Sequence, residues 1–86
     1  KRSNPQNRLY WLVLNEIAAN GWVDGKRFSA EAWHYHFRKE FIGMEDGPNG
    51  ASVPISTTTL NVSEFSEYLE KVMAYAAQEI GCSVAL

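Results

Sequence analysis

Phe65, Leu69, Val72, Met73, Ala76 and Ile80 follow one another at intervals of three or four residues. Only a helix turns that period into one continuous apolar side. Asn61 and Glu64 stand before it at the spacing of a capping pair, and Gly81 follows as its stop. The spacing predicts a helix over residues 62–80. Such a helix must bury its stripe against something. The chain has 86 residues and a single cysteine, Cys82. It therefore closes no internal disulfide and builds no multi-cysteine zinc site. A chain this short buries about 60–65% of its unfolded surface, so apolar packing must hold the fold, and dimerisation would be a natural supplement.

Two further helices meet that need. For the first, Ser3 with Gln6 reads as a capping box, but the proline disfavours a helical Asn4, so the helix is expected to start with Asn4 as cap and Pro5 at the first helical position. It ends near Asn20, with Gly21 as a left-handed stop. Tyr10, Val13, Leu14, Ile17 and Ala18 form its stripe. Trp11 borders the stripe, while Leu9 and Leu12 fall on the other side. A helix apolar on two sides is sandwiched or faces a partner. Ser29 is placed to cap the second helix, over residues 30–41, with Ala30, Trp33, Phe37 and Phe41 turned inward. Between these helices, Asp24-Gly25 flanked by Trp22-Val23 and Lys26-Arg27 is a tight-hairpin signal. Residues 43–54 hold three glycines and two prolines and are expected to form an exposed loop. The β-branched run over residues 52–59 is expected to be a strand, which Pro54 confines to an edge or a strand start. Tyr68 and Tyr75 are expected to flank the third stripe. The expected fold class is α+β and mostly helical: three helices with a small hairpin or short-strand element, in one domain over residues 1–86. The chain opens on Lys1 rather than Met, which points to the C-terminal part of a longer protein.

The formal charge of −2 hides an asymmetry. Residues 1–43 carry seven bases and four acids, or +3; residues 44–86 carry one base, Lys71, and six acids, or −5. A uniformly basic nucleic-acid coat is excluded, but a basic face on the first half is not. No apolar run reaches the roughly eighteen residues of a membrane-spanning helix.

Chemistry-bearing patterns are sparse. His34 and His36 lie two apart, about 200° around a helix, and cannot share a metal as an i, i+4 pair would. No serine sits in a nucleophile motif, and no glycine-rich loop is followed by the Lys-Ser/Thr of a phosphate cradle. No catalytic residue, metal or cofactor is expected. Binding signals are better represented. Lys1, Arg2 and Arg8 surround a helix N-terminus, whose free N–H groups favour anions, and Gln6 and Asn7 add neutral donors. The same two amides also suit local backbone bonding. Tyr35 with Arg38 and Lys39 sets an aromatic ring beside bases, the combination that single strands favour; an amphipathic tyrosine on a solvated face would look the same.

Arg2-Ser3-x-x-Gln6-Asn7-Arg8-x-x-Trp11 resembles the opening motif of the conserved domain of the phage NinB (Orf) recombination proteins. The resemblance continues in order through Trp22-x-x-Gly25 and Phe28-Ser29-Ala30-Glu31-x-Trp33-x-x-x-Phe37. It resumes at Ser56-Thr57-Thr58 and Val62-x-Glu64-Phe65-x-Glu67-x-x-Glu70, and ends at Ala74 and Glu79-x-Gly81. It implies a non-catalytic recombination mediator in the cytoplasm of a bacterial host, one that binds single-stranded DNA and the host single-strand-binding protein and acts as a homodimer. By position it assigns Arg2, Gln6, Asn7, Arg8 and Trp11 to DNA contact or to shaping the DNA-facing surface. Similar proteins carry basic residues after the Ser/Thr run, where this chain has Thr59 and Asn61. The rival reading is a dimerisation or docking domain, with DNA bound by a missing N-terminal segment and the basic half receiving an acidic tail.

Overall fold

The computed structural model describes residues 4–82. Its elements are α1 (Asn4–Asn20), α2 (Ala30–Phe41), β1 (Met44–Asp46), β2 (Ser52–Pro54) and α3 (Val62–Tyr75), with 3₁₀ turns at Pro48–Gly50 and Thr57–Thr59 and a closing π-helical turn at Ala76–Ile80. The architecture is mostly helical α+β, as expected. Asn4 is itself helical rather than the cap. Pro5 tolerates the shift, because N–H groups of a first turn have no helical partner to lose. Ser3, the alternative cap, lies outside the described residues.

The other caps form as the sequence predicts. Ser29 Oγ accepts from the Ala32 N–H at 3.1 Å. At α3, the Glu64 N–H donates to Asn61 Oδ1 at 2.8 Å while the Asn61 N–H donates to Glu64 Oε1 at 2.9 Å. Gly81 closes the last turn in the left-handed region, at φ 73°. Gly21 does not, and the expectation of a left-handed stop there is corrected. It is needed for space instead. A Cβ at Gly21 would stand 2.7 Å from the Ile17 carbonyl and 3.1 Å from Ile80 Cγ2. Glycine lets the end of α1 meet the end of the π turn.

Tyr10, Val13, Leu14 and Ile17 from α1, Trp33 and Phe37 from α2, and Phe65, Leu69, Val72 and Ala76 from the C-terminal helix form one core. All three apolar stripes meet there. Burying each large side chain contributes roughly 1.5–3 kcal/mol. Phe37 stacks between Trp33 and Phe41, with centroids at 5.4 and 6.0 Å. Tyr68 is 3% exposed and belongs to this core rather than flanking it. Its hydroxyl is satisfied inside, which removes the penalty that would hold a tyrosine at the edge.

The expected loop over residues 43–54 is largely a hairpin. Met44, Glu45 and Asp46 pair antiparallel with Pro54, Val53 and Ser52. Asn49 and Gly50 take φ of 60° and 76°, and the Gly47 N–H reaches the Ala51 carbonyl at 2.7 Å. Those residues turn the chain back on itself, so the punctuation that suggested a loop makes a turn between two strands. The strand expected over residues 52–59 ends at Pro54. Ser56 Oγ then accepts from the Thr58 N–H at 3.1 Å and caps the 3₁₀ turn that takes up Thr57–Thr59. Local side-chain bonding has displaced the extended form there.

Candidate nucleic-acid interface

The hydroxyls of Tyr10 and Tyr68 lie 2.8 Å apart, and Tyr10 Oη lies 2.6 Å from His34 Nδ1. This polar chain ties α1, α2 and α3 together. With the His34 proton on Nε2, Tyr68 donates to Tyr10 and Tyr10 donates to Nδ1. Burial holds the His34 pKa below its ordinary 6.5, the Arg38 charge lowers it further, and Glu31 opposes both. Burial pushes the Tyr68 hydroxyl up to about 12, against the pull of its bond to Tyr10. The chain is therefore neutral at physiological pH and acts as structural glue.

Outward from it lies the face shared by α1 and α2. The Trp11 ring, half-buried, packs on the His34 ring with centroids 4.8 Å apart. Arg8 is exposed one turn before Trp11. Arg38 stands one turn after His34, and its Nε donates to the His34 carbonyl at 3.4 Å. Tyr35 is 48% exposed, and Tyr35, Arg38 and Lys39 share the i, i+3, i+4 side of α2. His34 thus joins Trp11 of α1 to Arg38 of α2. Arg38 and Lys39 also offset the dipole at the C-terminus of α2.

The remaining candidates divide differently. Gln6 turns toward α3, where its Nε2 donates to Ser66 Oγ at 3.1 Å and to the Val62 carbonyl at 3.4 Å. Asn7 is exposed on the same first turns. Lys1 and Arg2 lie outside the described residues. His34 and His36 have separate surroundings: His36 packs against Trp33, Phe37 and Tyr75. Among the described residues, no three His, Cys, Asp or Glu side chains come together. Cys82 is buried, its Sγ 3.9 Å from the Glu16 carbonyl, and burial pushes its thiol pKa up.

Sequence reasoning overlooked the Asp24-Gly25 hairpin as a surface. It forms as expected, with Asp24 and Gly25 at φ 52° and 77° and bonds of 2.8 and 3.0 Å between Val23 and Lys26. The pairing ends there, so Trp22 is left 57% exposed, with the Arg27 guanidinium 5.0 Å from its ring centroid. Phe28, 42% exposed, meets Trp33 edge-on at 6.0 Å. A pocket of about 300 Å³ opens here, lined by Val23, Phe28, Ala32, Trp33, His36 and Tyr75. The available signal was the shortness of the hairpin arms, which cannot bury the aromatics beside them.

No family model matches the chain. Individual proteins do. The chain is 30% identical over 82 residues to the P21 prophage-derived protein NinB of Escherichia coli O6:H1, covering 90% of this chain and 56% of that protein. It is 30% identical to protein ninB of Salmonella phage P22, covering 90% of this chain and 57% of the relative. For protein ninB of Escherichia phage lambda the figures are 29%, 90% and 56%. A solved NinB structure superposes with a TM-score of 0.75 at 27% identity, covering 92% of this chain and 65% of the other. The chain spans little more than half the length of these curated relatives, which are phage and prophage proteins. Over that shared segment, the chain is similar to NinB proteins in both sequence and fold. No helix among the described residues is long and apolar enough to cross a membrane.

Proposed function

We propose that this chain is a non-catalytic module of a phage recombination mediator. It binds single-stranded DNA and the host single-strand-binding protein, and it acts as a homodimer. The observation that carries the reading is the α1–α2 face, where Trp11 and Arg38 both meet His34, Arg8 is exposed one turn before Trp11, and exposed Tyr35 shares a side of α2 with Arg38 and Lys39. Cations on such a face neutralise phosphates, and the rings offer stacking surfaces to unpaired bases. Gln6 and Asn7, on the first turns of α1, are included in the proposed interface, as are Lys1 and Arg2 on the strength of the sequence alone. The acids Glu64, Glu67 and Glu70 are exposed on α3 rather than on α1 or α2. Three or four phosphate contacts give a log–log salt slope of about −2 to −3 for a single strand. Fluorescence anisotropy with a labelled oligonucleotide at two salt concentrations tests this. Weak, sequence-independent binding with that slope supports the reading, and undetectable binding at low salt refutes it for this chain.

Leu12 favours the dimerisation reading as well. It is 51% exposed on a helix whose other side is fully committed to the core. Sedimentation across a concentration series is expected to show self-association that Leu12→Glu weakens.

A further inference from the structure

The geometry points to a second nucleic-acid site: the Asp24-Gly25 hairpin and the pocket beside it form a platform that stacks unpaired bases. This rests on the single-stranded DNA reading and assigns base contact to residues outside the α1–α2 face. Three observations carry it.

The first is the exposure of two large rings close together in the chain. Trp22 and Phe28 are 57% and 42% exposed, although the core has taken Tyr10, Phe37 and Phe65 completely. Val23, next to Trp22 in the chain, lines the same pocket as Phe28, so the hairpin forms one wall of that pocket and carries the exposed indole beside it in sequence. The second is charge. Residues 22–28 carry Lys26 and Arg27 against Asp24, and both cations are exposed. Arg27 lies over the Trp22 ring and its Nη1 donates to the Ala19 carbonyl at 3.2 Å, so a positive charge is held beside the exposed indole. The third is shape. The pocket is apolar in lining, opens to solvent, and holds about 300 Å³ between the rings of Phe28, Trp33, His36 and Tyr75. A planar base suits a slot walled by rings, and stacking makes no demand on base identity. Rigidity adds to the case: the left-handed turn and the paired Val23–Lys26 bonds fix the hairpin before any strand arrives.

The test uses anisotropy titrations of the 86-residue chain with two labelled strands of equal length, one oligothymidine and one abasic. Trp22→Ala and Phe28→Ala both replace exposed rings and are expected to fold, which circular dichroism checks. The expected result is oligothymidine binding that falls about fivefold or more in each variant. Trp22→Phe should restore most of the loss at its position. The abasic strand should bind wild type more weakly and be indifferent to both substitutions. Wild-type binding of oligothymidine that neither variant changes, or equal affinity for the two strands, overturns the platform and leaves single-strand binding standing. No binding of either strand overturns both. A pocket that takes an acidic, aromatic-ended peptide would lose that peptide in Phe28→Ala while keeping oligothymidine, which also overturns the assignment.

Discussion

Tyr10 and Trp22 stand twelve residues apart, and the fold treats them in opposite ways. Tyr10 is fully buried, with its hydroxyl shared between His34 and Tyr68. Trp22 is 57% exposed and touched by a guanidinium. The first region places aromatic groups where every contact supports the native state. The second leaves comparable apolar area in water, where it adds little to stability. A short chain with no disulfide has little apolar surface to spare. Leaving large rings outside is therefore better explained by binding than by folding. The difference separates residues that hold the protein from residues available to a partner.

The comparison breaks first, and most heavily, in the core. Phe37→Ala should lose about 3–5 kcal/mol in urea unfolding, because Phe37 is enclosed by Trp33, Phe41 and Tyr75. A loss under about 1 kcal/mol would mean that the aromatic cluster is not the core. Tyr10→Phe comes next. It keeps the ring but takes the shared partner from both His34 and Tyr68, so about 1–3 kcal/mol should go. Tyr68→Phe removes only the terminal donor and should be milder, which orders the chain from its centre outward.

Acidification probes the same region. Because the His34 pKa is lowered on folding, the native state prefers the neutral ring. The stability linked to it is whole above the ordinary 6.5 and drains away as pH falls through the lower native value. Denaturation midpoints should drop between pH 7.5 and 5, and His34→Gln should flatten that drop. A midpoint drop of the same size in the variant would assign it to other groups. The smallest effect belongs to the other region: Trp22→Ala should change stability by no more than about 0.5 kcal/mol, while it weakens oligothymidine binding.

Much of the first region was legible in the sequence, because its signals are local. The three stripes, the Ser29 cap, the Asn61–Glu64 capping box and the Gly81 stop all depend on neighbours within a few residues. The polar chain was not legible. It joins residues 24 and 58 positions apart, and no periodicity announces that three rings from three helices will meet. Tyr68 therefore looked like a border residue. Gly21 was misread for a related reason: the constraint comes from Ile80, far along the chain. The hairpin over residues 44–54 was hidden by glycine and proline, which mark loops and turns alike. For the candidate site, spacing paired Tyr35 with Arg38 and Lys39, and the family resemblance supplied Trp11. Only the fold brings Trp11 and Arg38 together at His34. Trp22, Arg27 and Phe28 lie in a segment too short for any burial pattern.

The central claim is that the exposed aromatic surfaces, and not the acidic side of α3, meet a single strand. Nitrogen-15 NMR of the labelled chain titrated with oligothymidine at low salt tests it most directly. The account predicts that the Trp22 indole N–H, the amides of residues 22–28 and those of residues 35–39 shift together, while Glu67 and Glu70 stay still. Shifts confined to α3, or no shifts at saturating strand, would contradict it.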